Sequence, residues 1–145
     1  MYKSLPDHTP AMLSIGRMAS QAHVSANAVR FYERQGLLPA AKKSEAGYRL
    51  YGPEAVTRLR FIKQAQRCGF ALAEIQELFA VQEADRACCG DVRSQVIAKK
   101  LQLHARIKEM QQMSAELDRL LAECGDSDAP VKGCTILVSL SKDAQ

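Results

Sequence analysis

Five cysteines carry the reactive chemistry of this 145-residue chain, and four of them flank one long predicted helix. Cys88 and Cys89 stand just before residues 91–123, Cys124 follows directly, and Cys134 comes ten residues later. Several thiolates gathered at one place would bind soft or borderline cations. The count is odd and the first residues lack the apolar stretch of a signal peptide. We therefore expect a cytosolic protein whose thiols are free, metal-bound or redox-active rather than joined in disulfides.

The predicted helix is the element that must position these cysteines. Residues 91–123 contain neither proline nor glycine, and apolar side chains recur in them every seven positions, at Val96, Leu103, Met110 and Leu117. This period predicts a single narrow apolar seam along the helix. The rest of a short chain leaves little to cover such a seam. A partner helix is therefore needed, and a second copy of the chain is the simplest partner.

The length of the helix keeps its two ends apart. At about 1.5 Å per residue it is roughly 50 Å long, so Cys88 and Cys89 cannot reach Cys124 within one chain. Antiparallel pairing of two copies brings the first end of one subunit beside the second end of the other. Cys134 can fold back to the same place across a polar loop. We therefore expect a homodimer with two identical thiolate clusters, each built from both subunits.

Charge is divided unevenly along the chain. Residues 1–70 carry eleven Lys and Arg against four Asp and Glu, whereas residues 71–145 carry nine against twelve. The first half is therefore the candidate for binding a polyanion. No apolar run approaches the roughly 20 residues of a membrane span, so we expect no membrane association. The sequence also lacks the Ser-His-Asp sets, paired carboxylates and phosphate-binding loops of enzymes, so we expect a protein that is not an enzyme.

The first two predicted helices have helix-turn-helix spacing. Ser14 and Ser25 each precede a helical pattern and can cap its first turn, and Gly36 ends the second pattern. Asn27 and Arg30 lie on the polar side of the second helix, which suits a helix that enters a major groove. By itself, this segment fits an ordinary helical hairpin equally well.

Apolar positions define the expected core of the basic half. In the second helix, Val29 and Phe31 are expected to face inward. A third helix begins at Pro53 and a fourth follows it, and Cys68 between them is expected to be a small core residue. The core positions of these two helices are Val56, Leu59, Ile62, Ala65, Leu72, Ile75, Leu78 and Phe79.

A basic hairpin follows the second helix. Lys42 and Lys43 precede a turn at Gly47, after which Tyr48 and Arg49 begin a short strand. Such a hairpin beside a recognition helix is a wing. Its cations can neutralise phosphates, and its tyrosine can donate to a phosphate or pack against a sugar. The combination of helix and wing favours DNA binding over the plain hairpin.

Three segments of the chain together resemble the MerR family of transcriptional regulators: IGRMASQAHVSANAVRFYERQGLLP, GYRLYGPEAVTRLRFIKQAQRCGF and LAEIQELF. The resemblance covers residues 13–81. It implies a mainly α fold with a winged helix-turn-helix DNA-binding domain at 12–81. Residues 1–11, with two prolines and little apolar content, are expected to be a disordered lead-in. A linker and a long antiparallel dimerisation helix would occupy 82–123, and a metal-binding loop with a short C-terminal helix would occupy 124–145.

The resemblance also implies which residues touch DNA. Arg30 and Tyr32 in the second helix, with Tyr48 and Arg49 in the wing, would contact the duplex, and Tyr32 as a partly buried packing residue is the alternative. We expect Glu33 to accept a hydrogen bond from an arginine rather than to contact a base. The full predicted DNA-binding set is Ser25, Asn27, Arg30, Tyr32, Lys42, Lys43, Tyr48 and Arg49.

In metal-responsive members that this chain resembles, a cysteine before the long helix joins two cysteines in the loop of the other subunit. Here those positions are Cys89, Cys124 and Cys134, and Cys88 is a possible further ligand. The position of Cys89 near a helix N-terminus favours its thiolate form. The resemblance therefore implies a three-thiolate metal site across the dimer.

The donor set leaves the identity of the ion open. Three thiolates suit Pb²⁺ and Hg²⁺, whereas Zn²⁺ and Cd²⁺ would take a fourth ligand, for which Cys88, Asp126, Asp128 or water are available. The implied function is activation of metal-resistance genes. The homodimer would bind a palindromic promoter with RNA polymerase and distort its spacer DNA when metal binds. The alternative is a redox-responsive or small-molecule-responsive regulator of the same family, with the cysteines as thiol sensors or a structural zinc site.

Overall fold

The computed structural model describes residues 11–125 and 127–142, so the predicted lead-in, apart from Ala11, and Asp126 lie outside it. No helix in the described ranges has the length and apolar character needed to cross a membrane. The described elements, in order, are β1 (Leu13–Ser14), α1 (Ile15–Ala22), α2 (Ala26–Arg34), β2 (Lys42–Lys43), β3 (Arg49–Tyr51), α3 (Pro53–Arg67), α4 (Leu72–Glu83), α5 (Cys89–Glu123) and α6 (Thr135–Leu140).

Side-chain caps fix the starts of the two helices of the helix-turn-helix. The Ser14 hydroxyl accepts a hydrogen bond from the backbone N–H of Arg17, at 3.3 Å, and the Ser25 hydroxyl accepts one from Ala28, at 3.1 Å. His23 ends α1 in the left-handed conformation, with φ 55°, and turns the chain toward α2. Both predicted caps are confirmed. The turn places α2 directly after α1 with only two residues between His23 and the start of α2.

A three-stranded antiparallel sheet carries the wing. β3 lies at its centre, pairing Tyr51 with Leu13 of β1 and Leu50 with Lys42 of β2. Gly47, with φ 82°, makes the turn of the hairpin, because a side chain there would strain the left-handed backbone. The hairpin was predicted, but β1 was not. Two residues are too few to show an alternating pattern.

The core of the DNA-binding half is built from one side of each helix. Its largest fully buried side chains are Met18, Val29, Leu37, Leu59, Ile62 and Ile75. The inward prediction for Phe31 is wrong, since its side chain is 39% exposed. On a helix, residues two positions apart are separated by about 200° around the axis. Phe31 therefore points away from the buried Val29, and Tyr32 takes the second inward position of α2. The core prediction for Cys68 is also wrong. The residue is exposed because α3 ends at Arg67 and the left-handed Gly69 redirects the chain.

Cations on α3 hold the neighbouring elements in place. The Lys63 ammonium donates to the His23 carbonyl at 2.7 Å, at the carbonyl end of α1. Arg58 donates through Nε to the Leu37 carbonyl at 2.7 Å and through Nη1 to Glu83 at 3.1 Å, with its guanidinium 3.7 Å from the centre of the Phe79 ring. One arginine therefore ties the chain after α2 to the last residue of α4.

The long helix α5 begins two residues earlier than predicted, and the chain divides into two compact units between Gln95 and Val96. In the second unit, α6 is tied to the end of α5. The Thr135 hydroxyl donates to the Glu123 carbonyl at 2.8 Å, and the Ser139 hydroxyl donates to the Glu123 carboxylate. The apolar stripe of α5 stays largely exposed in the single chain. We call it the α5 seam: Val96, Leu103, Met110 and Leu117.

We expect Leu59→Ala to destabilise the DNA-binding half by about 2–5 kcal/mol, because the substitution leaves a cavity in a fully buried position. Urea unfolding at one fixed protein concentration measures the loss. Thr57→Ala is the matched control, since Thr57 is exposed on the same helix. Equal urea midpoints for the two variants would contradict the assignment of Leu59 to the core.

Candidate functional site

The outward side of α2 and the residue that caps it supply three of the predicted DNA-binding residues. Ser25, Asn27 and Arg30 are all exposed. The Arg30 guanidinium donates to the Asn27 side-chain oxygen at 3.2 Å, one turn back along the helix. This contact holds the arginine along the surface of α2. Ser25 precedes the helix as its cap, where its hydroxyl oxygen accepts from the backbone N–H of Ala28 and its O–H can still donate.

Tyr32 is part of the packed interior. It is 8% exposed, it belongs to the hydrophobic core, and its hydroxyl donates to the side chain of Gln66 on α3 at 2.9 Å. In the free protein this is the role of a packing residue, which was the alternative interpretation of the sequence. A contact between Tyr32 and DNA stays a prediction.

The wing brings the other four predicted DNA-binding residues together. Lys43 lies opposite Arg49 in the β2–β3 ladder, and Lys42 is beside it on the same strand. Tyr48 is 72% exposed. Lys43 and Arg49 therefore face the same side of the sheet, whereas the side chain of Lys42 points to the other side. All three cations and the tyrosine are exposed on one hairpin, where they can contact a phosphate backbone.

Glu33 joins the recognition helix to the wing. One carboxylate oxygen accepts hydrogen bonds from Arg49, at 3.0 Å, and from the Tyr51 hydroxyl, at 2.8 Å, and the other accepts from the backbone N–H of Ala41, at 3.2 Å. The Glu33 side chain is 15% exposed, whereas that of Arg49 is 45% exposed. The prediction that Glu33 accepts from an arginine is confirmed. Arg49 keeps an open side that can still meet a phosphate.

These contacts shift the pKa values of Glu33, Tyr51 and Arg49. Burial raises the pKa of Glu33, but the hydrogen bonds from Tyr51 and Ala41 and the charge of Arg49 outweigh it, so the pKa lies below its ordinary 4.5. Burial, followed by the hydrogen bond to Glu33, raises the pKa of Tyr51 above 10.0. Contact with Tyr51 and then with the Glu33 carboxylate raises the pKa of Arg49. The cluster therefore holds an ionised glutamate at neutral pH.

The loop after α5 holds two of the predicted metal ligands. Cys124 and Cys134 both line one open cavity of about 430 Å³. Cys134 is half-buried just before α6, and its backbone N–H donates to the Val131 carbonyl at 3.0 Å. Gly133, with φ 87°, sets the turn that precedes it. The loop therefore presents two thiols to a shared space.

The remaining candidate thiols are at the first turn of α5. Cys88 and Cys89 are exposed, and the backbone N–H of Cys88 donates to the Asp91 carboxylate at 2.8 Å. A Cβ added to Gly90 would lie 3.3 Å from the Cys88 sulfur. The Cys88 sulfur therefore lies close to the first residues of α5. The Asp91 carboxylate occupies the first turn, where the helix dipole favours a negative charge.

No three His, Cys, Asp or Glu side chains gather as a metal site within residues 11–125 and 127–142 of one chain. All five cysteines fall in those ranges, and none of them forms a disulfide. The structure groups Cys124 with Cys134, and Cys88 is adjacent to Cys89 along the chain. Asp126, a candidate fourth ligand, lies outside the described residues.

Sequence reasoning missed two functional features of the DNA-binding half. Tyr51 is not among the predicted site residues, yet its hydroxyl shares Glu33 with Arg49. Residues two apart on a strand point to the same side, and that spacing was the available signal. The exposure of Phe31 beside Arg30 could have been found from the helical period alone.

Comparison with known proteins supplies the family. The model described as "MerR HTH family regulatory protein" matches residues 13–82, and the one described as "MerR, DNA binding" matches residues 56–120. The HTH-type transcriptional regulator ZntR of Escherichia coli is 34% identical over 135 residues, which are 92% of this chain and 95% of ZntR. The chain belongs to the MerR family. Members of this family are transcription regulators and not enzymes.

Solved MerR-family structures have the same fold. The regulator PbrR691 from Ralstonia metallidurans, in complex with lead(II), has a TM-score of 0.81 at 34% identity, over 90% of this chain and 100% of that one. MerR from Bacillus megaterium, in complex with mercury(II), has a TM-score of 0.72 at 32% identity, also over 90% and 100%. The predicted fold class and family are confirmed.

We expect Tyr51→Phe to reduce stability by about 1–2 kcal/mol, because it removes one hydrogen bond to the ionised Glu33 carboxylate and keeps the ring. Urea unfolding at neutral pH measures this loss. Tyr48→Phe is the matched control on the exposed side of the wing. If both variants unfold at the same urea concentration, the hydroxyl of Tyr51 has no role in joining helix and wing.

The same cluster predicts a pH dependence for Glu33→Gln. A lowered carboxyl pKa stabilises the fold fully above its ordinary value of 4.5, and this stabilisation is lost as the pH falls through the lowered value. The stability gap between wild type and Glu33→Gln should therefore be full at neutral pH and shrink below pH 4.5. Urea midpoints measured over that range test this. A gap that widens on acidification would reverse the sign and contradict the assignment.

Proposed function

We propose that this MerR-family chain is a cytoplasmic metal-responsive transcription regulator. As a homodimer, it would bind a palindromic promoter and activate transcription of metal-resistance genes by RNA polymerase when a soft divalent cation binds. The observation that carries this proposal is the pairing of thiols: Cys124 and Cys134 line one cavity, and Cys89 is exposed at the start of α5. The two solved relatives described above hold lead(II) and mercury(II), respectively.

Dimerisation is supported by the α5 seam. Its four side chains are 39% to 59% exposed in the single chain, although all four are large and apolar. Burying one such side chain completely contributes about 1.5–3 kcal/mol. Their seven-residue period matches a two-helix packing surface. A second copy of α5 supplies a surface of the same shape and chemistry.

Charge along α5 supports the antiparallel direction. From Cys89 to Arg106 the helix has four basic and one acidic residue, whereas residues 107–123 have two basic and four acidic ones. Parallel pairing would place like charges side by side along the whole interface. Antiparallel pairing places the basic half of each helix beside the acidic half of the other, which is favourable at low and moderate salt. The charge distribution therefore supports the antiparallel direction independently of the positions of the cysteines.

The thiols fit a soft cation by their chemistry. In the antiparallel dimer, Cys89 of one subunit would approach the cavity lined by Cys124 and Cys134 of the other, since a 35-residue helix is about 52 Å long and reaches from one end of the interface to the other. Three thiolates are a donor set for Pb²⁺, Cd²⁺, Zn²⁺ or Hg²⁺. A bound divalent cation would offset two of the three negative charges of the thiolates. Cys88, Asp128 and Asp126 are the candidates for a fourth ligand.

Control of transcription would act through the geometry of the promoter. Two recognition helices related by the dimer axis would occupy successive major grooves of a palindrome. One extra base pair in a promoter spacer rotates its two elements by about 34° relative to each other, so undertwisting the spacer realigns them. Such distortion costs several kcal/mol. The state in which Cys89 is joined to the partner's loop must therefore bind distorted DNA correspondingly better than the unjoined state does.

We expect Leu103→Lys to convert the dimer to monomers, because it places a charge in the middle of the α5 seam. Sedimentation velocity measures the change. Leu101→Lys is the matched control, since Leu101 is 64% exposed and lies off the seam two positions away on the same helix. Monomers in both variants, or in neither, would contradict the seam as the dimer interface.

We expect Cys89→Ser, Cys124→Ser and Cys134→Ser each to abolish the response to metal and to leave operator binding intact. Transcription from the chain's own promoter, with Pb²⁺, Cd²⁺, Zn²⁺ or Hg²⁺ added, measures the response, and fluorescence anisotropy of labelled promoter DNA measures binding. Cys68→Ser is the control, because Cys68 is an exposed thiol outside the proposed site. Loss of operator binding together with the response would indicate a structural metal instead.

Mixing two inactive variants tests whether the site spans the dimer. A heterodimer of Cys89→Ser with Cys124→Ser keeps one complete thiol set if the ligands come from both subunits. It keeps none if they come from a single subunit. We therefore expect one tight site per heterodimer, which is about half a site per dimer in an equal co-refolded mixture because about half of the dimers are heterodimers, whereas each variant alone has none. Absence of any site in the mixture would contradict the intersubunit arrangement.

A further inference from the structure

Phe31 is an aromatic residue of α2 that the core does not bury. Its side chain is 39% exposed, and its ring packs against the edge of the core through Tyr32, with ring centres 5.7 Å apart. At 100° per residue, Phe31 points about 130° away from the middle of the side formed by Val29 and Tyr32. A single exposed apolar residue is ordinary on a protein surface. The position of this one on the recognition helix is what gives it meaning.

The neighbours of Phe31 on this side of α2 are polar or basic. With 3.6 residues per turn, the exposed residues fall in one stripe of about 100°, centred opposite the buried side. These residues are Asn27, Arg30, Phe31 and Arg34. An apolar surface for a protein partner would be surrounded by further apolar residues. Here one ring lies at the edge of a stripe that carries two cations, Arg30 and Arg34, and the basic wing is joined to the same helix through Glu33.

Arg30 and Phe31 offer complementary chemistry to the edges of base pairs. The Asn27 side chain holds the Arg30 guanidinium along the helix at 3.2 Å, which leaves the ring of Phe31 as the apolar part of the stripe. In the major groove, the edges of the base pairs present hydrogen-bond donors and acceptors, and the C5-methyl group of thymine is the apolar exception. A phenylalanine in that groove has this methyl group as its matching contact.

We infer that Phe31 packs against a thymine C5-methyl group in the operator and makes the protein distinguish thymine from bases that lack this methyl group. The inference rests on the proposed binding of α2 in a major groove. It assigns sequence discrimination to an apolar contact, in addition to the polar contacts expected of Asn27 and Arg30. The same contact explains why an aromatic ring can remain exposed on the recognition helix of a free protein.

The test replaces thymine by uracil, which removes only the methyl group and keeps the base pairing. The probe is a duplex that the wild-type protein selects from a randomised pool, with its thymines replaced one at a time. We expect one pair of symmetry-related positions at which each replacement weakens wild-type binding about fourfold, the value for one buried methyl-sized group. At those positions Phe31→Ala should bind the thymine and uracil duplexes equally well.

Two further variants make the result specific. Phe31→Gln keeps a long side chain and a good helix former, so it repeats the test should the alanine variant fold poorly. Leu101→Ala alters an exposed position of α5, outside the predicted DNA-binding set, and should keep the full sensitivity to uracil. Circular dichroism melting of the full-length variants establishes that they are folded before binding is measured.

The outcomes separate this inference from the proposal of DNA binding. If the wild-type protein selects no duplex, both are overturned. If it selects a duplex but no thymine-to-uracil replacement weakens binding, the contact with a methyl group is overturned alone. The contact is also overturned if Phe31→Ala and Phe31→Gln retain the same sensitivity as the wild-type protein. Sensitivity that disappears in both Phe31 variants and persists in Leu101→Ala supports it.

Discussion

The α5 seam is the constraint on which the other features of this protein depend. A helix of 35 residues with one apolar stripe cannot bury that stripe against itself, and in the single chain the stripe is exposed to water. The hydrophobic effect therefore favours a second helix, and the unequal charge of the two halves of α5 favours an antiparallel one. The symmetry of such a pair fixes two further distances. One is the distance between the two recognition helices. The other is the distance between the thiols at the start of α5 in one subunit and those after the end of α5 in the other.

Within each DNA-binding half, the ionised Glu33 has a comparable role on a smaller scale. It accepts from Arg49 and Tyr51 of the wing and from the chain just before the wing. A two-stranded hairpin alone is only marginally stable in water. By accepting these hydrogen bonds, Glu33 fixes the hairpin, and Arg49 with it, against α2. The Glu33 carboxylate is favourable in this basic domain because it accepts a hydrogen bond from Arg49 and so fixes the position of that cation.

Local rules predicted most of the fold from the sequence. Ser14, Ser25 and Gly36 define helix boundaries by capping and by left-handed backbone, and these effects act over only a few residues. The errors came from side chains whose environment depends on distant elements. Cys68 and Phe31 are apolar, but the end of α3 and the inward position of Tyr32 leave both outside the core. For the site, the sequence predicted the grouping of Cys124 with Cys134, whereas the sharing of Glu33 by two wing residues required the tertiary structure.

The short connection between α4 and α5 suggests how a signal at Cys89 would reach the recognition helix. Only residues 84–88 separate Glu83, the last residue of α4, from Cys89, the first residue of α5. Arg58 binds Glu83 and also the carbonyl of Leu37, just after α2. A ligand at the start of α5 would therefore act on the segment that follows α4. That helix is held to the end of α2 and the chain just after it by Arg58 and by Gln76, whose side chain donates to the Gln35 carbonyl at 2.6 Å. Movement of α5 at that point would turn the DNA-binding half as a body, because its packed core resists internal deformation.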